Sequence, residues 1–107
     1  MNLDKDIHEC NKIIAEFMSH EFRGRYGHVL EEGYRIYSNW ESLMEIVEKI
    51  EGLDGEQYEA DIYGNCCHIS NVHDNSYGPN ISVLGGGKRE AVYEACYKFI
   101  VEYTNEQ

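Results

Sequence analysis

Three stretches of the chain place apolar residues at three- and four-residue steps, the repeat that gathers side chains on one face of an α-helix. Leu3, Ile7, Cys10, Ile14 and Phe17 form the first stripe, widened by Ile13 and Met18, and predict a helix near residues 4–19. Trp40, Leu43, Val47 and Ile50 form the second, with Asn39 placed to cap it and Gly52 and Gly55 to stop it, so a helix is expected over 40–51. After Gly85-Gly86-Gly87, the residues Val92, Cys96, Phe99 and Tyr103 mark a third near 88–103.

Between these lie runs with the alternation of strands. Tyr34-Arg35-Ile36-Tyr37 is one, Glu59-Ala60-Asp61-Ile62-Tyr63 a second, Cys66 to Val72 a third and Ile81-Ser82-Val83-Leu84 a fourth. Gly64-Asn65 separates the second and third by two residues, a strong hairpin signal, and Tyr77-Gly78-Pro79-Asn80 turns the chain before the fourth. The expected fold is α+β, an antiparallel sheet of three to four strands packed with three helices in the order α-β-α-β-β-β-α. Residues 1–107 form a single domain on this reading, with no repeat and no internal linker.

The faces opposite the apolar stripes differ. On the second helix Glu41, Glu45 and Glu48 fall within about 60° of one another, away from the stripe. On the third, the side away from the stripe holds Glu90 and Glu94 but also Tyr97 and Val101, and that apolar pair calls for a second layer or a partner.

Charge sharpens the picture. The chain carries a net −11, and from Glu41 to Asp61 eight carboxylates face only Lys49, a local net of −7. Such a field repels phosphate backbones and anionic membranes and attracts cationic protein surfaces. The 42% hydrophobic content and nine tyrosines suffice for a core. Residues 1–6 carry charge where a secretory signal needs an apolar stretch, and no apolar run has the length of a membrane span, so a cytoplasmic protein with four reduced thiols is expected. Cys10 and Cys96 fall on apolar helix faces, where cysteine packs as a small hydrophobe.

The helical segments Asn11–Met18, Trp40–Glu51 and Glu90–Ile100 resemble small phage and prophage proteins of Bacteroidetes-type bacteria, similar to the phage ABA-sandwich domain. The likeness covers about a third of the chain and rests on packing positions. Glu45 stands where those proteins often have proline, and Glu102 where they often have tryptophan. The resemblance implies a sheet held between helical layers and a phage context, and no catalytic residue. Small acidic phage proteins of this size commonly bind and block host machinery, anti-CRISPR proteins among them, which is analogy rather than derivation.

Candidate chemistry is sparse. Cys66, Cys67, His68 and His73 have zinc-ligating side chains, but on a strand Cys66 and His68 share a face that Cys67 does not. Cys67 paired in space with a histidine would make a nucleophile, with nothing to supply an oxyanion site. Gly85-Gly86-Gly87-Lys88 before a helix has the outline of a phosphate cradle, but Arg89 follows the lysine where Ser or Thr is needed and the spacing is wrong. Arg23, Arg25, His28, Arg35, Lys88 and Arg89, with Phe22, Tyr26 and Tyr37 as stacking surfaces, make an alternative reading: a small RNA- or DNA-associated phage accessory protein. Whole-chain charge opposes it.

The expectation is therefore a non-enzymatic binding protein without metal or cofactor, encoded by phage and acting in the bacterial host cytoplasm. Its docking surface comprises Glu41, Glu45, Glu48, Asp54, Glu56, Glu59 and Asp61, with Tyr97 and Val101 as a second place of contact. The bland reading of the glutamates is a solvated face. Concentration beyond the helix favours a basic host protein as partner, an RNA-guided defence nuclease with its basic channel being the concrete case, with no membrane and no direct nucleic-acid contact.

Overall fold

The computed structural model describes residues 7–18, 21–24, 40–73 and 78–105. Helix α1 spans Ile7–Phe17, a helical turn follows at 21–24, and α2 spans Trp40–Glu51. Strands β1 (Tyr58–Tyr63), β2 (Cys66–Asn71) and β3 (Ile81–Leu84) come next, and α3 (Lys88–Asn105) closes the order. The α+β class and the antiparallel sheet are as expected from the periodicity. The turn at 21–24 is additional, whereas the strand expected at residues 34–37 and the Asn39 cap lie outside the described residues.

The sheet is built by the Gly64-Asn65 hairpin. Gly64 takes φ 56°, the left-handed value that this two-residue turn needs at its first position, and Tyr63 faces Cys66 across it. The register then runs Ile62↔Cys67, Ala60↔Ile69 and Tyr58↔Asn71, and continues to β3 through Cys67↔Val83 and Ile69↔Ile81. Cross-strand partners share a face. Tyr58, Cys67, Ile69, Ile81 and Val83 are accordingly buried in the common core, while Glu59, Asp61, Tyr63, Ser82 and Leu84 are exposed on the other side. Among the described residues the helices contribute to one face of the sheet only, whereas the resemblance implies helical layers on both.

Helix α3 is the centre of the molecule. It packs on β2 and β3 with one side and on α1 and α2 with the other. Ala91, Val92, Tyr93, Glu94, Ala95, Cys96, Tyr97, Phe99 and Ile100 are all buried, so between residues 91 and 100 the helix has almost no solvent face. This corrects the single-stripe reading. The second layer that Tyr97 and Val101 called for is the helical one, and Tyr97 is only 6% exposed within it.

A helix enclosed on all sides must satisfy its polar atoms internally. The Tyr93 hydroxyl donates to Asn11 Oδ1 at 2.8 Å, both residues fully buried. Glu94 pairs with Lys98 Nζ at 3.3 Å, the favourable order for residues four apart. Thr104 returns its hydroxyl to the Ile100 carbonyl at 2.7 Å. The first helix is rotated to suit: Cys10, Asn11, Ile14 and Met18 point inward, and Phe17, expected in the stripe, is half-buried at its flank.

The end of the sheet is closed by aromatic rings. Tyr58 sets its ring edge-on to Phe99 at 4.9 Å and to Tyr103 at 6.1 Å, and Phe99 stacks on Tyr103 at 5.6 Å. Gly78 passes beneath Tyr58 with φ 76°, and a Cβ there would sit 2.4 Å from the tyrosine oxygen. Removing the Tyr93 hydroxyl alone, as Tyr93→Phe, should cost about 1–2 kcal/mol in urea unfolding. Gly78→Ala should cost at least as much, because backbone strain of about 1–2 kcal/mol adds to the clash. A wild-type urea midpoint for Gly78→Ala would disprove the close approach.

Candidate functional site: an acidic groove where α2 meets β1

Helix α2 buries Ser42, Leu43, Ile46, Val47 and Ile50. That leaves Glu41 and Glu48 exposed, but Glu45 is half-buried with one carboxylate oxygen shielded from solvent. The helix packs on both α3 and β1, so its buried arc is wider than one stripe, and Glu45 does not belong with Glu41 and Glu48 as a free carboxylate. Glu41 lies two turns from Glu48, about 10 Å along the axis.

Past Gly52 the chain turns sharply. Asp54, Gly55 and Glu56 all take positive φ (52°, 77° and 65°), and the Glu56 and Gln57 amides return to the Leu53 carbonyl at 3.1 and 3.3 Å. The Tyr103 hydroxyl donates to the Asp54 carboxylate at 3.1 Å and ties the turn to α3. The reversal brings Glu56 and Glu59 alongside the last turn of α2. Glu48, Glu51, Gly52, Glu56, Tyr58, Glu59 and Val72 line a shallow groove of about 480 Å³.

Four glutamates thus line the groove with Val72, itself 47% exposed, while Tyr58 is nearly buried with its ring against Phe99 and Tyr103. Glu51 was not singled out by sequence reasoning. It accepts the Ala60 amide at 3.1 Å from the free side of β1, a tertiary contact with no local signature. Asp61 is exposed on the same face as Glu59, two residues along β1 and about 7 Å away. The one cation of the acidic segment is turned elsewhere. Lys49 Nζ donates to the Phe17 carbonyl at the end of α1 and lies 4.8 Å from the Phe17 ring centre, so it does not neutralise the groove.

The second expected contact pair separates. Tyr97 is buried, whereas Val101 lines a different groove of about 390 Å³ with Ile13, Phe17 and Ile100 between α1 and the end of α3. The arginine–tyrosine patch also divides. Phe22 is fully buried and cannot stack on a base, and Arg23 donates to the Ala15 carbonyl at 3.2 Å. Lys88 and Arg89 are exposed at the start of α3, and Arg25, Tyr26, His28, Arg35 and Tyr37 lie outside the described residues.

Cys66 and His68 share the open face of the sheet and Cys67 faces the core, as the strand alternation requires. Among the described residues no three of His, Cys, Asp and Glu converge as metal ligands. Asp61, His68 and Ser82 do align across the three strands, but no hydrogen bond joins their side chains. The glycines 85–87 take no left-handed φ and do not curl into a cradle. No helix among the described residues is long and apolar enough to cross a membrane.

Burial pushes the Cys67 thiol from the ordinary 9.0 up to about 12, with Asp61 adding to the rise. Cys96 is raised as well, first by burial and then by Cys67 and Glu51. These are the opposite of activated nucleophiles.

No family model matches the chain, and neither the curated proteins nor the solved structures compared with it give a match.

Two measurements follow from the thiols. In native protein a maleimide should modify Cys66 rapidly and Cys10, Cys67 and Cys96 only on unfolding, since the three are at most 1% exposed. Between pH 9.0 and about 12 the unfolded chain ionises Cys67 while the folded chain keeps it protonated. That contribution to stability is complete below the lower value and is lost as pH rises through the window. Cys67→Val should flatten this alkaline fall in the urea midpoint, and an unchanged slope would contradict the assignment.

Proposed function

We propose that this domain is a non-enzymatic binding protein that docks a basic protein surface through the groove between α2 and β1. The observation that carries the reading is the gathering of Glu48, Glu51, Glu56 and Glu59 around the exposed Val72, with Lys49 directed away. A lysine or arginine side chain fits that chemistry. Its methylenes lie against Val72 and its cation among the carboxylates. An apolar contact inside a charged rim is also the anatomy of a protein interface.

The narrower proposal is that the partner is a nucleic-acid-guided defence nuclease of a bacterial host and that the domain is a phage-encoded, anti-CRISPR-like inhibitor. A guide or target channel is necessarily basic, and an acidic face suits it. The likeness of the helices to phage proteins supports the phage context, and the net −11 disfavours direct nucleic-acid binding.

The test uses guide-loaded nucleases and an array of Lys/Arg-rich peptides as probes. Glu48→Lys, Glu56→Lys and Glu59→Lys together should leave folding nearly unchanged, since exposed substitutions shift stability by under about 0.5 kcal/mol each. Binding should fall by roughly 100-fold, because like charges across an interface cost several kcal/mol. Wild-type association should slow as salt rises. Equal binding by the triple reversal would reduce the glutamates to a solvated face. Binding to the peptides without inhibition of any nuclease would keep the docking surface and remove the narrower proposal.

A further inference from the structure

Asp54 and Glu56 hold left-handed backbone, with φ 52° and 65°. Residues other than glycine keep such values only where their surroundings enforce them. Part of that enforcement is local, since the Glu56 and Gln57 amides both donate to the Leu53 carbonyl. Asn71 Nδ2 adds a bond to Gln57 Oε1 at 3.2 Å, past the strained residues. At the first strained residue itself the contact comes from α3. The Tyr103 hydroxyl lies 3.1 and 3.3 Å from the two carboxylate oxygens of Asp54, 49 residues away in the chain.

Tyr103 is itself held in place. Its ring stacks on the fully buried Phe99 at 5.6 Å, with 15° between the planes, and meets Tyr58 edge-on at 6.1 Å. Tyr58 is the first residue of β1. One side chain thus spans from the turn to the start of the strand, with Glu56 between its two contacts in the chain. The other groove glutamates are placed without it. Glu59 is fixed by its pairing with Ser70, and Glu48 and Glu51 by α2. Glu56 is the groove residue whose position depends on the left-handed run.

From this division we infer that Tyr103 is a positioning residue for the acidic groove: by holding Asp54 it sets Glu56 beside Glu48, Glu51 and Glu59. The inference rests on the docking role proposed for the groove and adds the end of α3 to what determines it. Tyr103 acts through Glu56. A carboxylate on a relaxed turn spends part of its time away from the groove, and ordering it at the moment of binding costs affinity.

Amide exchange, urea unfolding and titration with a Lys/Arg-rich peptide test the inference together. Tyr103→Phe keeps the ring contacts and removes the hydroxyl. The Glu56 and Gln57 amides should then exchange faster and the peptide affinity should fall, each by about three- to tenfold, the worth of one hydrogen bond. Asp54→Asn keeps an acceptor oxygen and tolerates left-handed backbone, so both amides should exchange as in wild type. Asp54→Gly accepts the same backbone without an acceptor and should exchange as fast as Tyr103→Phe. Glu56→Gln should also weaken binding, and adding Tyr103→Phe to it should weaken binding no further, because the two act on one carboxylate. A role in overall stability alone would lower the urea midpoint and leave peptide binding by the folded protein unchanged. Wild-type exchange in Tyr103→Phe would overturn the inference, as would fully additive losses in the double variant. Peptide binding that Tyr103→Phe leaves intact would overturn it and spare the docking role, whereas a wild type that binds no Lys/Arg-rich peptide would overturn both.

Discussion

Helix α3 can be buried on nearly all sides only because two layers close over it, and that enclosure constrains everything else. The sheet must present its apolar row of Tyr58, Cys67, Ile69, Ile81 and Val83 to one side, and α1 and α2 must cover the other. Polar atoms trapped between the layers must find each other there, which is what the Tyr93–Asn11 bond does across 82 residues of sequence. A helix enclosed in this way offers no surface for recognition. Among the described residues, surface open to a partner is left at the periphery, at the junction of α2 with β1 and on the outer face of the sheet.

Much of this frame was legible in the chain. The Gly64-Asn65 hairpin and the α2 stripe depend on local geometry, and both appear at the expected residues. A single stripe leaves open whether the face of Tyr97 and Val101 meets a second layer or a partner. A period of 3.6 identifies an amphipathic helix, and α3 is nearly apolar all round between Ala91 and Ile100, a pattern that signals enclosure instead. Tyr97, buried at 6% exposure, is covered by the layer and is not a place of contact. Asn11 and Glu51 went unremarked because each matters through a partner distant in space or across an edge, and neither carries a local sign. Glu45 failed more narrowly: α2 touches two neighbours, so its solvent arc is smaller than one helical stripe suggests.

The acidic residues were visible as composition, but their convergence was not. Glu48 and the strand residue Glu59 are 11 residues apart in the chain, and the left-handed run at Asp54, Gly55 and Glu56 folds them together. The same turn explains why the groove is shallow and open. It is a crease between a helix end and a strand edge, with Val72 exposed at its margin, rather than a cavity within the core.

Local folding preferences oppose this arrangement. Glu48 and Glu51 sit in the last turn of α2, where the helix dipole disfavours negative charge, and the segment's lysine is spent on the end of α1 instead. Asp54 and Glu56 hold left-handed backbone, which costs non-glycine residues about 1–3 kcal/mol each. Partial compensation comes from the Ala60 amide on Glu51 and the Tyr103 hydroxyl on Asp54, but neither contact reaches Glu48, Glu56 or Glu59. A solvated face would arise at less cost from mixed charges with the same solubility. In the function proposed, a cationic surface would relieve this concentration of carboxylate at a strained crease on binding.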